Sequence, residues 1–168
     1  RVDDLEIIDN GDGTYSLTWT YKNVGDYNQD GIVDVKDITP LAIHFGEDAD
    51  PANEWVDGNA DTVIDIKDIT PIAVSFFTDC AGYSIGGTSS YPGGTFSEIG
   101  TASFSLADDE GRKCLSVPLP ESEYHHFAVA PYDSEGELGD LSNVVELLNL
   151  PPVAELTADP TTGDAPLI

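Results

Sequence analysis

The sequence predicts a mixed fold: an antiparallel β-sandwich interrupted by a small α-helical module built on two paired loops. Three observations carry that expectation. A stretch of the first half repeats itself 31 residues further on, Asp26–Ala42 against Asp57–Ala73. On both sides of this repeat, apolar and polar residues alternate with period two, as in strands that bury one face. Hydrophobic residues make up 40% of the chain, enough for a core, whereas 32 acidic residues against 6 basic ones leave a formal net charge of -26.

Taking the elements in order, Tyr15, Leu17 and Trp19 alternate with Ser16, Thr18 and Thr20 and read as a strand. Asn10-Gly11-Asp12-Gly13 reads as the hairpin turn before it. Two strands cannot close a core alone, so residues 1–24 must share a sandwich with later strands. From Thr18 to Gly25 the chain runs from strand into turn, and no helix precedes the first loop.

Within the repeat, both copies keep Asp, Asn, Asp, Asp and Asp at loop positions one, three, five, nine and twelve, while the residues between them vary apart from a shared lysine. Asp, Asn and Gly are ordinary turn residues, and one such cluster means little. Asn10–Gly13 is as rich in them yet lacks the spacing. Two copies in register point instead to a hard cation, because calcium takes about six to eight oxygens at about 2.3–2.6 Å from this set of positions, with a backbone carbonyl at position seven. The first ligand set is Asp26, Asn28, Asp30, the Ile32 carbonyl, Asp34 and Asp37. The second is Asp57, Asn59, Asp61, the Val63 carbonyl, Asp65 and Asp68. Two Ca2+ ions are therefore expected.

Without metal, each loop's carboxylates repel by about 1 kcal/mol per pair near 4 Å in water, so the loops should be disordered. A dissociation constant about a thousandfold below ambient calcium would stabilise the fold by roughly 4 kcal/mol per site. Position eight, Val33 and Ile64, is expected to join the loops through a short backbone contact. Position six is Gly31 in the first loop and Thr62 in the second. That position needs a positive φ, so the second site should be weaker or more distorted.

After each loop, Asp-Ile-Thr-Pro leads into Leu41–Phe45 or Ile72–Phe76, which read as short helices. Thr39 or Thr70 is the expected N-cap and Pro40 or Pro71 the first helical residue, with the apolar faces packed on each other. Between them, Asp50 before Pro51 should start one helical turn, and Trp55 should pack on the helices. Beyond the repeat, Leu115-Val117-Leu119, Phe127-Val129-Pro131 and Val144-Val145 read as strands, separated by turns at Asp108–Gly111 and Asp133–Gly136. Cys80 and Cys114 could form a disulfide in an oxidising compartment or remain unpaired thiols.

The duplicated loop-then-helix unit with aspartate at position twelve resembles the dockerin family over residues 25–79. The resemblance implies an extracellular calcium module and a cohesin-like protein partner. Positions ten and eleven are Val35-Lys36 and Ile66-Lys67, where cellulosomal dockerins often carry small hydroxyl residues, so partner-binding residues do not carry over and a cohesin partner stays open. The flanks, residues 1–24 and 80–150, resemble a fibronectin type III domain through Trp19 on the second strand and the run Tyr124–Gly136. By this likeness the module interrupts the sandwich between its second and third strands. Residues 151–168 resemble a linker and the first strand of a PKD-type domain, as in a longer multidomain secreted protein.

The charge leaves no basic surface for nucleic acid, and no apolar run reaches the roughly 20 residues needed to insert into a membrane. His44 and the adjacent His125-His126 form no zinc pattern, and no phosphate-cradling or nucleophile-elbow motif occurs. A non-catalytic, calcium-stabilised structural or protein-interaction region is expected. The alternatives are a functional dockerin and the accessory region of a secreted polysaccharide- or protein-degrading enzyme.

Overall fold

The computed structural model describes residues 1–104 and 113–148; the expected turn at Asp108–Gly111 and the PKD-like segment lie outside the described residues. Strands β1 (Glu6–Asp9) and β2 (Tyr15–Thr20) form the expected hairpin, with Ile7 opposite Leu17. Its turn closes by a bond from Asn10 N to Thr14 O at 3.0 Å, with Gly11 and Gly13 at φ of +79° and +88°. After the inserted segment come β3 (Gly82–Thr88), β4 (Ser97–Ser103), β5 (Cys114–Pro118), β6 (His126–Tyr132) and β7 (Val145–Glu146). All described pairings are antiparallel, in a three-stranded sheet ordered β1-β2-β5 and a four-stranded one ordered β4-β3-β6-β7.

The two sheets enclose one core. Leu17, Trp19 and Leu115 from the first meet Tyr83, Ile85, Phe127 and Val129 from the second, and the Trp19 and Tyr83 rings pack edge-on at 5.0 Å. The alternation on β2 is what places Leu17 and Trp19 on this inner face. A side-chain clip fastens the segment before β1 to the segment before β7: Leu5 N donates to Asn143 Oδ1 and Asn143 Nδ2 donates to Leu5 O, both at 2.9 Å.

Strands β3 and β4 escape a reading by alternation because they are rich in Gly, Ser and Thr. β3 is buried along its whole length and its cover is supplied by neighbours, whereas in β4 only Ala102 is buried. A methyl at Gly87 would lie 2.4 Å from the Tyr124 ring, so that ring covers the strand where a side chain would otherwise stand. Tyr124 packs against the core while His125 is exposed, and β6 begins only at His126.

Between β2 and β3 the chain builds a second, separate core of Tyr27, Val33, Leu41, Val56, Ile64 and Ile72, with Trp55 packed against it. Helices α1 (Ile38–Ile43) and α2 (Ile69–Val74) are each preceded by a single 3-10 turn, Val35–Asp37 and Ile66–Asp68. The N-caps are therefore Asp34 and Asp65 rather than Thr39 and Thr70. Each is half of a capping box with the aspartate three residues on, which starts the helical backbone earlier than the threonines allow. Each helix contributes one fully buried residue, Leu41 or Ile72, to this shared core, while Ile43 and Val74 stay exposed. Asp50 Oδ1 accepts from Ala52 N at 2.7 Å and opens the expected turn, followed by a 3-10 turn at Glu54–Val56.

Val33 and Ile64 do not pair with each other. Val33 exchanges backbone bonds with Phe77 and Thr78, and Ile64 with Gly46 and Glu47, all at 2.8–2.9 Å. Each loop is thus tied to the segment following the other loop's helix. The reason is geometric: three residues after each helix ends stands a residue of positive φ, Gly46 at +88° or Phe77 at +69°, which turns the chain back across the opposite loop. Among the described residues no helix is long and apolar enough to cross a membrane.

Candidate metal centre

In the first loop the Asp26 carboxylate accepts from Asp30 N at 3.1 Å and Gly31 N at 2.9 Å, which wraps the chain around the first ligand position. Asn28 Oδ1 accepts from Asp30 N at 2.9 Å, Asp30 Oδ1 from Ile32 N at 3.1 Å, and Asp34 Oδ1 from Lys36 N at 2.7 Å. Asp37, fully buried, closes the ring: its two oxygens accept from Asn28 N at 3.0 Å and Asp34 N at 2.8 Å. A carboxylate gripped at both oxygens by opposite sides of a loop has its orientation fixed by the loop backbone.

The second loop repeats every one of these bonds. Asp57 accepts from Asp61 N and Thr62 N at 3.2 and 2.8 Å, and Asn59 from Asp61 N at 2.8 Å. Asp61 accepts from Val63 N at 3.2 Å and Asp65 from Lys67 N at 2.7 Å. Buried Asp68 accepts from Asn59 N and Asp65 N at 3.2 and 2.8 Å. Positions four and six take positive φ in both copies, +53° and +93° at Gln29 and Gly31, +55° and +73° at Ala60 and Thr62. Thr62 therefore adopts the left-handed conformation that its β-branched side chain disfavours.

The structure links the predicted side chains of each loop, from position one to position twelve, through hydrogen bonds to the loop's own backbone. Among the described residues no three His, Cys, Asp or Glu side chains by themselves form a metal-holding group. One cation is already present at each mouth. Lys36 Nζ lies 3.2 Å from Asp30 Oδ2 and 3.3 Å from Asp34 Oδ2; Lys67 Nζ lies 2.7 Å from Asp61 Oδ2 and 3.3 Å from Asp65 Oδ2. The lysine shared by the repeats thus bridges positions five and nine, and these aspartates hold both ammonium groups above the usual lysine pKa.

The loops differ in surroundings. Asp26, Gln29 and Gly31 are buried against the sandwich, whereas Asp61 and Thr62 are exposed and Asp57 borders an open cleft of about 620 Å³ shared with Asp4, Lys22 and Glu54. Burial, with the Asp37 and Asp30 charges adding to it, pushes the Asp26 carboxyl up to about 6, against hydrogen bonds from Tyr21 and Gly31. Burial raises Asp37 as well. Carboxylates that resist ionisation for lack of a counter-charge are what a bound divalent cation relieves.

Sequence reading missed the residues behind the first loop. The Tyr21 hydroxyl donates to Asp26 Oδ2, and Lys113, itself buried, donates from its backbone N to Gln29 Oε1 at 2.8 Å and from Nζ to Gln29 O. A lysine opening a strand in a chain with so few basic residues was the available signal. Tyr21 offered none, since it only continues the strand.

The remaining candidates stay apart from the loops or from each other. Cys80 is buried and Cys114 exposed, and both are free thiols. His44 Nδ1 lies 2.8 Å from Glu47 Oε2, and His126 packs near Tyr91 with Glu146 at 3.7 Å. No protein-family model, curated protein or solved structure matches this chain.

Proposed function

We propose that residues 25–79 form a dockerin-like module holding two calcium ions, inserted into a fibronectin type III-like sandwich of residues 1–24 and 80–150, in a non-catalytic region of a secreted or cell-surface protein. The carrying observation is the bond-for-bond identity of the two loops, including positive φ at positions four and six, in spite of different residues there. Glycine does not explain that backbone, because only one of the four residues is glycine. The positions that repeat are the oxygen donors, Asp26, Asn28, Asp30, the Ile32 carbonyl, Asp34 and Asp37, and Asp57, Asn59, Asp61, the Val63 carbonyl, Asp65 and Asp68. They fit a hard cation. Seven antiparallel strands in two sheets are the architecture that the fibronectin type III resemblance implies.

Calcium in this reading is structural: it neutralises the carboxylate rings around which a small core of six buried residues is assembled. Calorimetric titration with calcium, followed by thermal melts with and without chelator, tests it. Two binding events and a melt that chelator lowers are expected; no binding and no shift would sink the reading.

One observation favours the second role, docking of a cohesin-like partner. Val35, Ile38, Ile43 and Phe45 on α1 and its flanks, and Ile66, Ile69, Val74 and Phe76 at the equivalent places around α2, are all exposed. Apolar residues left outside a small core in duplicate are typical of recognition surfaces. Calcium-dependent capture by an isolated cohesin domain, lost on Val35→Asp with Ile66→Asp, would support docking.

A further inference from the structure

We propose that the sandwich completes the first loop: Tyr21 is a positioning residue for Asp26, seconded by the Lys113–Gln29 contact, and together they make the Asp26 loop the tighter calcium site. This rests on the calcium reading above. The two loops have the same internal hydrogen bonds, and each is bonded to the segment after the other's helix, so beyond the Gly31–Thr62 difference what distinguishes them is contact with the sandwich, which falls on the first. Tyr21 is the last rung of the first sheet, its backbone N donating to Lys113 O at 2.8 Å, and its buried hydroxyl grips the same Asp26 oxygen that Gly31 N holds. The residue 31 places later is Ala52, which has no donor in its side chain.

At position four, Gln29 takes a left-handed φ of +53° and is held there from both ends, by Lys113 N on its amide oxygen and Lys113 Nζ on its carbonyl. Its counterpart Ala60 has a φ of +55° and is exposed. The Phe104 ring lies 3.0 Å from where a methyl on Gly31 would stand, so the sandwich also backs position six. A loop already ordered loses less conformational entropy on binding, and ligands packed away from water attract a cation through a lower dielectric. The Lys113 charge works against calcium, which is why Tyr21 and Gln29, not Lys113, are the residues to change.

The test uses the whole chain with one loop silenced at a time: Asp68→Asn leaves the first site and Asp37→Asn the second. Calorimetric calcium titrations are then compared with and without Tyr21→Phe, which keeps the ring and removes the donor. The first site is expected to weaken about tenfold, the scale of one hydrogen bond to a charged group, with the second changed by less than about twofold. Gln29→Ala, which copies the residue of the second loop and lies away from the strand junction, should weaken the first site about threefold and spare the second. A general loss of stability would weaken both sites alike, and that result, or no change at either, overturns the proposal. No calcium binding by the unsubstituted chain would instead overturn the reading on which it rests.

Discussion

At Thr62 a β-branched residue stands at a φ of +73°, where its counterpart is Gly31. A left-handed conformation costs an L-residue about 1–2 kcal/mol, so Thr62→Gly should stabilise the calcium-loaded chain by roughly 1 kcal/mol after allowing for glycine's larger unfolded entropy, measured by urea denaturation in calcium. The reverse change, Gly31→Thr, meets both the φ penalty and the Phe104 ring, and should destabilise by more than Thr62→Gly gains. The two mouth lysines give a second expectation of this scale. With a divalent cation inside, an ammonium on positions five and nine is a like charge, so Lys36→Met or Lys67→Met should tighten its own loop about twofold to fivefold in low salt. The gain should fade as salt is added, because both lysines are well exposed. Calorimetry at two ionic strengths checks it, and a loss of affinity would show that the lysines support the loops instead.

The elements of the module are held by exchange: the loop ending in α1 is bonded to the segment after α2, and the loop ending in α2 to the segment after α1. Each half is braced by the other. Hydrogen exchange should therefore show Val33, Gly46, Ile64 and Phe77 losing protection together in chelator, while Ile85 and Val129 in the paired strands β3 and β6 keep theirs. Protection lost at one loop alone would contradict the exchange. At this scale the sequence was legible where a pattern repeats or alternates, as in the loops and in Leu17 and Trp19. It was silent at β3, whose glycines are buried by rings from elsewhere in the chain, and at β4, which is mostly exposed. It misled at Thr39 and Thr70, where a threonine before proline reads as a cap although the aspartates at Asp34 and Asp65 had already started the helical backbone. The pairing of Val33 and Ile64 with opposite segments depends on the turns at Gly46 and Phe77, and nothing in Phe77 announces a positive φ.

Over the whole molecule, two cores sit side by side, one between the sheets and one within the insert, joined where Tyr21 leaves β2 and where Cys80 N bonds to Gly31 O at 2.8 Å just before β3. The insert thus departs and returns at one end of the sandwich, which is what lets an interruption of this size leave the strand pairing intact. The Asn143 clip on Leu5 lies on the other branch of the chain, between the segments leading into β1 and β7. Tension applied between residues 5 and 147 would accordingly run through the clip and the sheets, and the insert would hang outside the load path. Pulled from those two points, the chain should yield first at the sandwich at a force unaffected by chelator, and the module's length should be paid out only afterwards. In a chain that works under shear, the insert would be a coil of slack, kept shut by calcium on the function proposed above, and released only once the strands have parted.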